Sequence, residues 1–532
     1  MVGQKGGKFP IRFVIRISFC CCMVVMQHAR VTSAFDSTPA FFARPEQALS
    51  ASGRALPIAL LGVPFDPVTM AEAIERIERM IGSGRPHYVV TANADFLAQA
   101  RQDVELRRIL MEAHLVLCDG TPLLWASRLL GNPLPERVAG SDLAPRLIRL
   151  AAKRNYRLFL LGASPEANAQ AAARLKEHCP GLNLVGNYSP PFQPLLEMDH
   201  AEIQKRIRAA RPDLLFVSFG CPKQEKWIAM HYQALGVPVT VGMGATIDFL
   251  AGRMKRAPRW MQRAGLEWVF RLLQEPRRLF KRYLSDFRHF GGAILRQCWQ
   301  MQWRPCRVPQ ARSSSLVVVE PTWQRVRVSE RLDVESVTRD AAVWQQVVAH
   351  DRHALLDLTD TQFIDSTGAA LLVRLRHQLR RAGHHLILVD PSVPVRRTLQ
   401  WLRLHDYFET AADAVEAREI IAGRDQEQSA LVAADGATRS LAWRGEVTVA
   451  NAGEVWRLTE AQIAGLSARQ KIISLDLSEV RFVDSTGLGV MVRAKKFAAR
   501  RGNQLLFTGL RSDVRNVLRL SKLAAFLLDK AA

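Results

Sequence analysis

Short apolar runs alternate with amphipathic stretches between residues 56 and 241, and this alternation is the strongest constraint on the fold. Strands that alternate with helices at this spacing predict a mostly parallel sheet with helices on both faces, as in Rossmann-like α/β proteins. Ligands bind such sheets at the carboxyl ends of the strands. The predicted strands are 58–63, 87–91, 115–118, 157–162, 182–188, 214–219 and 237–241.

Two polar motifs follow neighbouring predicted strands. The first, T-A-N-A-D, begins with Thr91 and contains Asn93, and small polar side chains of this kind can hydrogen-bond a sugar or a phosphate. The second, C-D-G, carries Asp119 at the end of an apolar strand. The alternative interpretations are a helix N-cap for the first motif and a cap or turn for Asp119. If the sheet is parallel, Thr91 and Asp119 face one cleft.

Two further motifs carry candidate anion ligands. In R-V-A-G-S-D, the planar guanidinium of Arg137 matches phosphate oxygens, although a plain Arg137–Asp142 surface pair is the alternative. In F-G-C-P-K-Q-E, a turn at Gly220 leads into a helix that begins near Lys223. Backbone N–H groups and the helix dipole favour an anion there. The motif is neither a Walker loop nor a dinucleotide fingerprint.

The formal charge of +23 is concentrated in one segment. Residues 253–312 contain fifteen Lys or Arg against three Asp or Glu, a net charge of +12. Tryptophan, leucine and phenylalanine alternate with these cations, which favours an amphipathic helix on an anionic membrane over a nucleic-acid groove. A packed helix with solvated arginines is the alternative.

The remaining composition indicates a reduced, cytosolic protein. Its eight cysteines form no Cys-x-x-Cys and no zinc spacing. Apolar residues 17–26, preceded by cations, are too few to span a bilayer. We interpret residues 1–55 as a non-essential leader, an over-long start or a weak membrane tether.

An internal repeat follows a Pro/Ser/Arg-rich linker at 305–315. D-L-T-D-T-Q-F-I-D-S-T-G-A-A-L-L begins at Asp357, and D-L-S-E-V-R-F-V-D-S-T-G-L-G-V-M begins at Asp476. Seven of the sixteen positions are identical, at an offset of 119 residues. Repeats of about a hundred residues are tandem domains rather than solenoid units.

The motifs of the first part, in their order, resemble the WecG/TagA/CpsF glycosyltransferases. The matching patterns are T-x-N-x-D, C-D-G, R-V-x-G-x-D, F-G-x-P-K-Q-E and a tail of the form R-A-P-x-W, G-L-E-W, E-P-x-R-L, R-Y. The resemblance covers residues 56–284. It implies an inverting, metal-independent enzyme without a cofactor that transfers an N-acetylmannosamine-type or other hexose from a UDP-sugar to a polyprenyl-diphosphate-linked saccharide during bacterial surface polysaccharide synthesis.

The resemblance also implies roles for individual residues. Asp119 would be the general base, Thr91 and Asn93 would position the substrates, and Arg137 would stabilise phosphate. Donor binding would involve Asp142, Gly162, Gly220, Lys223, Gln224 and Glu225. The mobile tail would meet the lipid diphosphate and the membrane through Arg271, Arg278, Lys281 and Arg282. Residues 56–300 contain no Asp-x-Asp, the usual metal clamp of nucleotide-sugar transferases, so arginines are expected to replace Mg²⁺.

Both repeats resemble STAS domains, the fold of anti-sigma-factor antagonists, over residues 316–422 and 430–532. The resemblance implies that the serine after the aspartate accepts phosphate, which corresponds to Ser366 and Ser485. A plain N-cap is the alternative, because Asp-Ser-Thr-Gly has good capping chemistry.

The sequence therefore predicts a transferase domain at 56–252, a basic amphipathic segment at 253–304 and two regulatory or docking modules. The expected partners are a UDP-sugar, a polyprenyl-diphosphate acceptor, an anionic membrane surface and a kinase or regulator that binds the modules; nucleic acid is not expected, and self-association is left open. The expected location is the cytoplasm, at the inner face of the cytoplasmic membrane. The alternative function is a non-catalytic interaction protein with a degenerate transferase domain.

Overall fold

The structure is a computed structural model. It describes residues 56–254, 256–258, 260–261, 266–274, 276–302, 314–427, 432–434, 441–465, 472–521 and 523–528. The segment interpreted as a leader, 1–55, and most of the predicted linker lie outside the described residues.

The first part of the chain is built around a six-stranded sheet in which all neighbouring strands are parallel. Its strand order is β4-β3-β8-β7-β5-β6. The strands of this part are β1 (Ile58–Leu60), β2 (Val63–Phe65), β3 (His87–Ala92), β4 (Leu115–Cys118), β5 (Leu158–Gly162), β6 (Leu184–Tyr188), β7 (Leu214–Ser218) and β8 (Val239–Gly242). The predicted parallel α/β architecture is confirmed.

The strand predicted at 58–63 is wrong. Leu61 and Gly62 have φ angles of 51° and 87°, so the chain turns after β1 and returns as β2 in a separate antiparallel hairpin. A continuous apolar run does not reveal such a turn, since the only turn-forming residue in it is one glycine.

Helices cover both faces of the six-stranded sheet. They are α1 (Met70–Gly82), α2 (Ala94–Ala100), α3 (Val104–Met111), α4 (Thr121–Leu129), α5 (Gly140–Arg154), α6 (Pro165–His178), α7 (His200–Ala210), α8 (Lys223–Leu235), α9 (Thr246–Leu250), α10 (Glu267–Gln274), α11 (Pro276–Asp286) and α12 (Gly292–Gln302). Local chemistry fixes their starts: Thr69 and Glu72 form a capping box on α1, and Ser164 caps α6 ahead of Pro165.

The first C-terminal module, residues 314–427, has a five-stranded sheet of order β15-β14-β12-β10-β9 and a small β11-β13 pair. Its elements are β9 (Leu316–Val319), β10 (Trp323–Arg327), β11 (Arg331–Leu332), α13 (Val334–Arg339), α14 (Ala341–Ala349), β12 (His353–Asp357), β13 (Phe363–Ile364), α15 (Ser366–Arg381), β14 (Leu386–Val389), α16 (Val393–Trp401), β15 (Glu409–Ala411) and α17 (Ala414–Glu427).

The second C-terminal module, residues 432–528, repeats this pattern with a sheet of order β16-β17-β18-β19. Its elements are β16 (Val432–Ala434), β17 (Leu441–Val447), α18 (Ala452–Gly465), β18 (Ile472–Val483), α19 (Ser485–Arg500), β19 (Gln504–Thr508), α20 (Ser512–Leu520) and α21 (Ala524–Leu527). In both modules the Asp-Ser-Thr-Gly motif begins a sixteen-residue helix.

The first module and the transferase-like part share apolar packing. Leu56, Ala59 and Met111 belong to the same buried cluster as Leu332, Leu404 and other core residues of the first module. The second module has its own buried cluster, against which Leu196 of the first part packs.

Candidate active site

Asp119 lies at the carboxyl edge of the sheet, immediately after β4. Its backbone N–H donates to the carbonyl of Ala92 at the end of β3 (2.8 Å), which ties the two strand ends together. The backbone N–H of Gly140, at the start of α5, donates to the Asp119 carboxylate. Burial raises the pKa of Asp119 to about 6, while Arg137 and Arg271 oppose this rise and Glu267 adds to it. Such a carboxylate is suited to general-base work near neutral pH.

Thr91 borders the same edge and is buried. Its hydroxyl donates to the carbonyl of Gly242 at the end of β8 (3.2 Å). A Cβ atom at Gly140 would lie only 3.3 Å from the Thr91 hydroxyl, so the start of α5 packs directly on Thr91. The two strand-end residues, Thr91 and Asp119, are therefore connected through Gly140, as expected from a parallel sheet.

A group of arginines and carboxylates, which we name the arginine–carboxylate cluster, surrounds Asp119. Its members are Arg137, Asp142, Arg256, Glu267 and Arg271. Arg137 contacts Glu267 (2.8 Å) and Asp142 (3.1 Å). Arg256 contacts Asp142 (2.6 Å), and Arg271 lies 3.7 Å from Glu267. The predicted Arg137–Asp142 pair is thus present, but as part of a larger network rather than as an isolated surface pair.

The cluster contains guanidinium nitrogens without hydrogen-bond partners. Within the described residues, buried atoms Nε and Nη2 of Arg256 and Nε of Arg271 have no acceptor. A buried charged donor that lacks a partner carries a desolvation cost. Phosphate oxygens satisfy such donors well, because guanidinium groups bind them in a planar, bidentate manner. The cluster can therefore hold a diphosphate beside Asp119.

Arg256 and Glu267 were not predicted as site residues. Both lie within the tail patterns R-A-P-x-W and G-L-E-W, so the signal was present, but a buried glutamate that orients arginines cannot be told from a solvated one by its sequence position. Arg271 was predicted to meet the lipid diphosphate or the membrane. It lies beside Glu267, with its guanidinium 5.2 Å from the centre of the Phe249 ring.

Asn93 is a helix cap in the structure. Its side-chain oxygen accepts hydrogen bonds from the backbone N–H groups of Asp95 (3.0 Å) and Phe96 (3.2 Å) at the start of α2. The capping interpretation of T-A-N-A-D is therefore correct. Asn93 still lines the edge, since a Cβ at Gly120 would lie 3.6 Å from the Cβ of Asn93.

The F-G-C-P-K-Q-E motif connects the ends of β7 and β8. Gln224 is buried, and its side-chain oxygen accepts from the backbone N–H of Gly244 (3.0 Å). Its Nε2 atom donates to Glu225 (2.5 Å), whose burial raises its pKa to about 7. A Cβ at Gly242 would lie 2.8 Å from that Nε2 atom. Gln224 and Glu225 therefore support the β8 end on which Thr91 also rests.

Lys223 makes its contacts away from the arginine–carboxylate cluster. Its ammonium donates to the carbonyl of Gln193 (2.5 Å) and lies 5.1 Å from the centre of the Phe192 ring. Gly220 has a φ of 78° and makes the turn before α8. Gly162 has a φ of 95° and packs on the carbonyl of Ser218, which leaves no room for a side chain. These three positions lie at the carboxyl ends of β5 and β7, whereas Thr91 and Asp119 lie at the ends of β3 and β4.

The basic tail exposes large apolar side chains. Lys281 is exposed on α11, whereas the side chains of Arg278 and Arg282 lie outside the described residues. Phe290, Ile294 and Cys298 pack on the core of the first part. The exposed apolar residues of this tail are Trp260, Trp268, Leu273, Phe280, Leu284, Leu295 and Trp299. In the part of the chain that the structure describes, no helix combines the length and apolar character needed to cross a membrane.

Both candidate phosphoacceptor serines are buried against the first part of the chain. Ser366 is 3% exposed, and its hydroxyl accepts from the Gln297 side chain of α12 (3.0 Å). Ser485 is 4% exposed, and its hydroxyl donates to Glu105 of α3 (2.9 Å). The capping interpretation is also correct, since Asp365 and Asp484 accept N–H groups at the starts of α15 and α19.

Comparison with known proteins agrees with this architecture. Residues 58–304 match the model of the glycosyl transferase WecG/TagA/CpsF family, and residues 318–417 and 432–530 match that of the STAS domain. Similar proteins include the N-acetylglucosaminyldiphosphoundecaprenol N-acetyl-beta-D-mannosaminyltransferases of Staphylococcus aureus strains MW2 and MRSA252. Each is 29% identical over 222 residues, 41% of this chain and 85% of the relative.

A solved structure of the anti-sigma factor antagonist SpoIIAA in its unphosphorylated form also matches, at 20% identity and a TM-score of 0.19, over 21% of this chain and 97% of that one. By the two family models, residues 58–304 form a domain of the WecG/TagA/CpsF glycosyltransferase family, and the chain continues into two STAS domains.

Proposed function

We propose that this chain is an inverting glycosyltransferase that moves an N-acetylmannosamine-type hexose from a UDP-sugar to a polyprenyl-diphosphate-linked N-acetylglucosamine. The acceptor chemistry is that of the similar proteins from Staphylococcus aureus, which are named N-acetylmannosaminyltransferases of N-acetylglucosaminyldiphosphoundecaprenol. The wider role is assembly of a bacterial surface polysaccharide or exopolysaccharide.

One observation carries the proposal: a half-buried carboxylate with a raised pKa lies beside arginines whose guanidinium groups retain donors without an acceptor. A base and a cationic phosphate site are the two requirements of transfer from a nucleotide sugar. A solvated surface network would explain neither the raised pKa of Asp119 nor the buried guanidinium atoms that lack an acceptor.

The reaction is a single in-line displacement. Asp119 takes the proton of the acceptor hydroxyl while that oxygen forms a bond to the anomeric carbon of the donor sugar. The bond between the anomeric carbon and the phosphate oxygen breaks at the same time, and UDP departs. Arg137, Arg256 and Arg271 stabilise the negative charge that grows on the diphosphate. Because attack and departure occur on opposite faces, the anomeric configuration inverts.

The composition of the basic tail favours binding to a membrane surface. Trp268 is 43% exposed, Leu273 is 73% exposed and Phe280 is 60% exposed, and the surrounding charge is positive. Amphipathic helices of this composition bind anionic bilayers by burying their aromatic side chains at the interface. We therefore propose peripheral association with the inner face of the cytoplasmic membrane, where the UDP-sugar and the lipid-linked acceptor meet.

The STAS domains are proposed to regulate or dock the enzyme. A kinase would transfer the γ-phosphoryl group of ATP to Ser366 or Ser485: an Oγ–P bond forms, the γ-phosphorus bond to its bridging oxygen breaks, and ADP and the hydroxyl proton leave. Since both serines are buried, this modification requires that the domain first move away from the transferase domain.

A donor screen tests the proposed activity. The full-length protein is mixed with a synthetic polyprenyl-diphosphate N-acetylglucosamine in detergent and with UDP-N-acetylmannosamine, its uronate or another UDP-hexose. We expect one UDP-sugar to yield an extended lipid-linked disaccharide and UDP. If no UDP-sugar is turned over although the protein remains folded, the alternative, a non-catalytic STAS-based interaction protein, is the better account.

A further inference from the structure

The Ser485 end of the second STAS domain is occupied by a carboxylate of the transferase domain. The backbone N–H of Ser485 donates to Oε1 of Glu105 (2.5 Å), and its hydroxyl donates to Oε2 (2.9 Å). Ser485 is the first residue of α19, so Glu105 caps this helix from another domain. Helix N-termini attract anions, and here the anion is part of the same chain.

Charged contacts surround this cap. Arg108, one turn along α3 from Glu105, contacts Glu446 (3.0 Å) and lies 3.8 Å from the centre of the Phe482 ring. Asp484, next to Ser485, is half-buried, and desolvation together with the charge of Glu105 raises its pKa to about 7. The carboxylates of Glu105 and Asp484 therefore already lie near each other at the Ser485 end of α19.

The first STAS domain is attached differently. Ser366 meets the neutral amide of Gln297, and the domain shares an apolar cluster with Ala59 and Met111 of the transferase domain. Arg374 adds an ion pair with Asp66 (2.5 Å). A shared apolar cluster resists separation, whereas the charged contacts of Ser485 and Glu446 can open at a smaller cost.

We propose that the second STAS domain is a releasable module whose internal binding partner is helix α3 of the transferase domain, and that negative charge on Ser485 shifts it from the docked to the released state. An anionic group on Ser485 removes the hydroxyl donor and faces the Glu105 carboxylate. Lys226, the cation beside Glu105, already contacts Asp103 as well, so a further negative charge in this buried contact is repelled. Release exposes the Ser485 face for a separate protein. This inference concerns domain docking and is measured without the transferase reaction.

The docking contact also involves helix α8, which carries residues of the F-G-C-P-K-Q-E motif. Lys226 of α8 lies 2.8 Å from the same Glu105 oxygen that receives the Ser485 hydroxyl, and 2.7 Å from Asp103. α8 also carries Gln224 and Glu225, which support the end of β8. Glu105 therefore contacts both Ser485 and the helix that carries Gln224 and Glu225.

Hydrogen exchange of the full-length protein tests the proposal. In Ser485→Glu, we expect backbone amides of 104–111 and 485–489 to exchange at least tenfold faster than in the wild type, while the buried strand 214–218 is unchanged. Ser512→Glu is the matched control, since it places the same charge at the exposed N-terminus of α20 in the same domain.

The effect must also depend on the charge of Glu105. In a Glu105→Gln background, Ser485→Glu is expected to accelerate exchange less than threefold relative to Glu105→Gln alone. Unchanged exchange in Ser485→Glu, equal acceleration in Ser512→Glu, or full acceleration in the Glu105→Gln background would each overturn the proposal.

If Ser485→Glu does not fold, Arg108→Ala gives a second route, because it removes a different contact of the same interface. The same amides should then exchange at least threefold faster, and an unchanged rate would overturn the proposal.

Discussion

At the scale of single residues, the account depends on the protonation of Asp119. Burial raises its pKa to about 6, with Glu267 adding to the rise and with Arg137, Arg271 and the Gly140 N–H opposing it. A general base works only when ionised, so the active fraction grows as the pH rises through this pKa.

The pH dependence of kcat/KM checks this directly. Below pH 6 we expect kcat/KM to rise about tenfold per pH unit, and above pH 7 to level off, because the reaction requires one carboxylate, that of Asp119, in its ionised form. A profile that is flat between pH 5 and 7, with the protein folded throughout, would exclude Asp119 as a titrating base.

Glu267 is expected to act as a positioning residue. In Glu267→Gln, Arg137 and Arg271 lose the carboxylate that orients them, and we expect kcat to fall by about ten- to a hundredfold. The apparent pKa of the pH–rate profile should also drop, because a negative charge near Asp119 is removed.

Glu75→Gln is the matched control, since Glu75 forms an exposed pair with Arg79 on α1. It should leave both kcat and the profile unchanged. An unaltered kcat and pH profile in Glu267→Gln would remove Glu267 from the account.

At the scale of secondary-structure elements, the basic tail at 253–304 has two faces that differ in what they contact. One face carries Glu267 and Arg271 toward Asp119, and the other exposes aromatic residues. The same short segment therefore connects the proposed phosphate site to the proposed membrane surface.

Vesicle flotation tests the exposed face. Replacing Trp268 and Phe280 together by serine should reduce the fraction of protein that floats with phosphatidylglycerol-containing vesicles at least fivefold, because aromatic burial at the bilayer interface is lost. Phe192→Ser, which removes a 96% exposed aromatic residue outside the tail, should float like the wild type. Equal flotation of all three proteins would refute a membrane role for the tail.

The strands and the sheet edge were predictable, because apolar runs and strand-end motifs are local signals. The role of Glu267 was not, since it meets Arg137 across 130 residues of sequence. The β1–β2 turn was not predictable, because Leu61 adopts a left-handed backbone conformation that is rare for leucine. Ser485 and Glu105 are 380 residues apart in the sequence, and no local sequence pattern around either residue predicts their contact.

At the scale of the whole molecule, the transferase domain and the first STAS domain share one apolar cluster. Met111 is 1% exposed and belongs to the cluster that contains the core of the first STAS domain. Domains with a continuous core are expected to unfold together, whereas the second STAS domain has a separate cluster.

Met111→Ala tests the shared core. The substitution should reduce the free energy of unfolding by about 2–5 kcal/mol through lost burial and the cavity left behind. In calorimetry, the transferase and first STAS domains should unfold in one transition that shifts to lower temperature as a unit. Two transitions, of which only the transferase one shifts, would show that the domains are independent.

The most direct test of the central claim is sugar transfer by Asp119→Asn. The full-length variant is assayed with the UDP-sugar that the wild type uses and the lipid-diphosphate acceptor, and UDP-sugar affinity is measured in parallel. We predict a fall in kcat of about a hundred- to ten-thousandfold, with donor affinity changed less than threefold. Turnover within twofold of the wild type would contradict the claim that this carboxylate removes the acceptor proton.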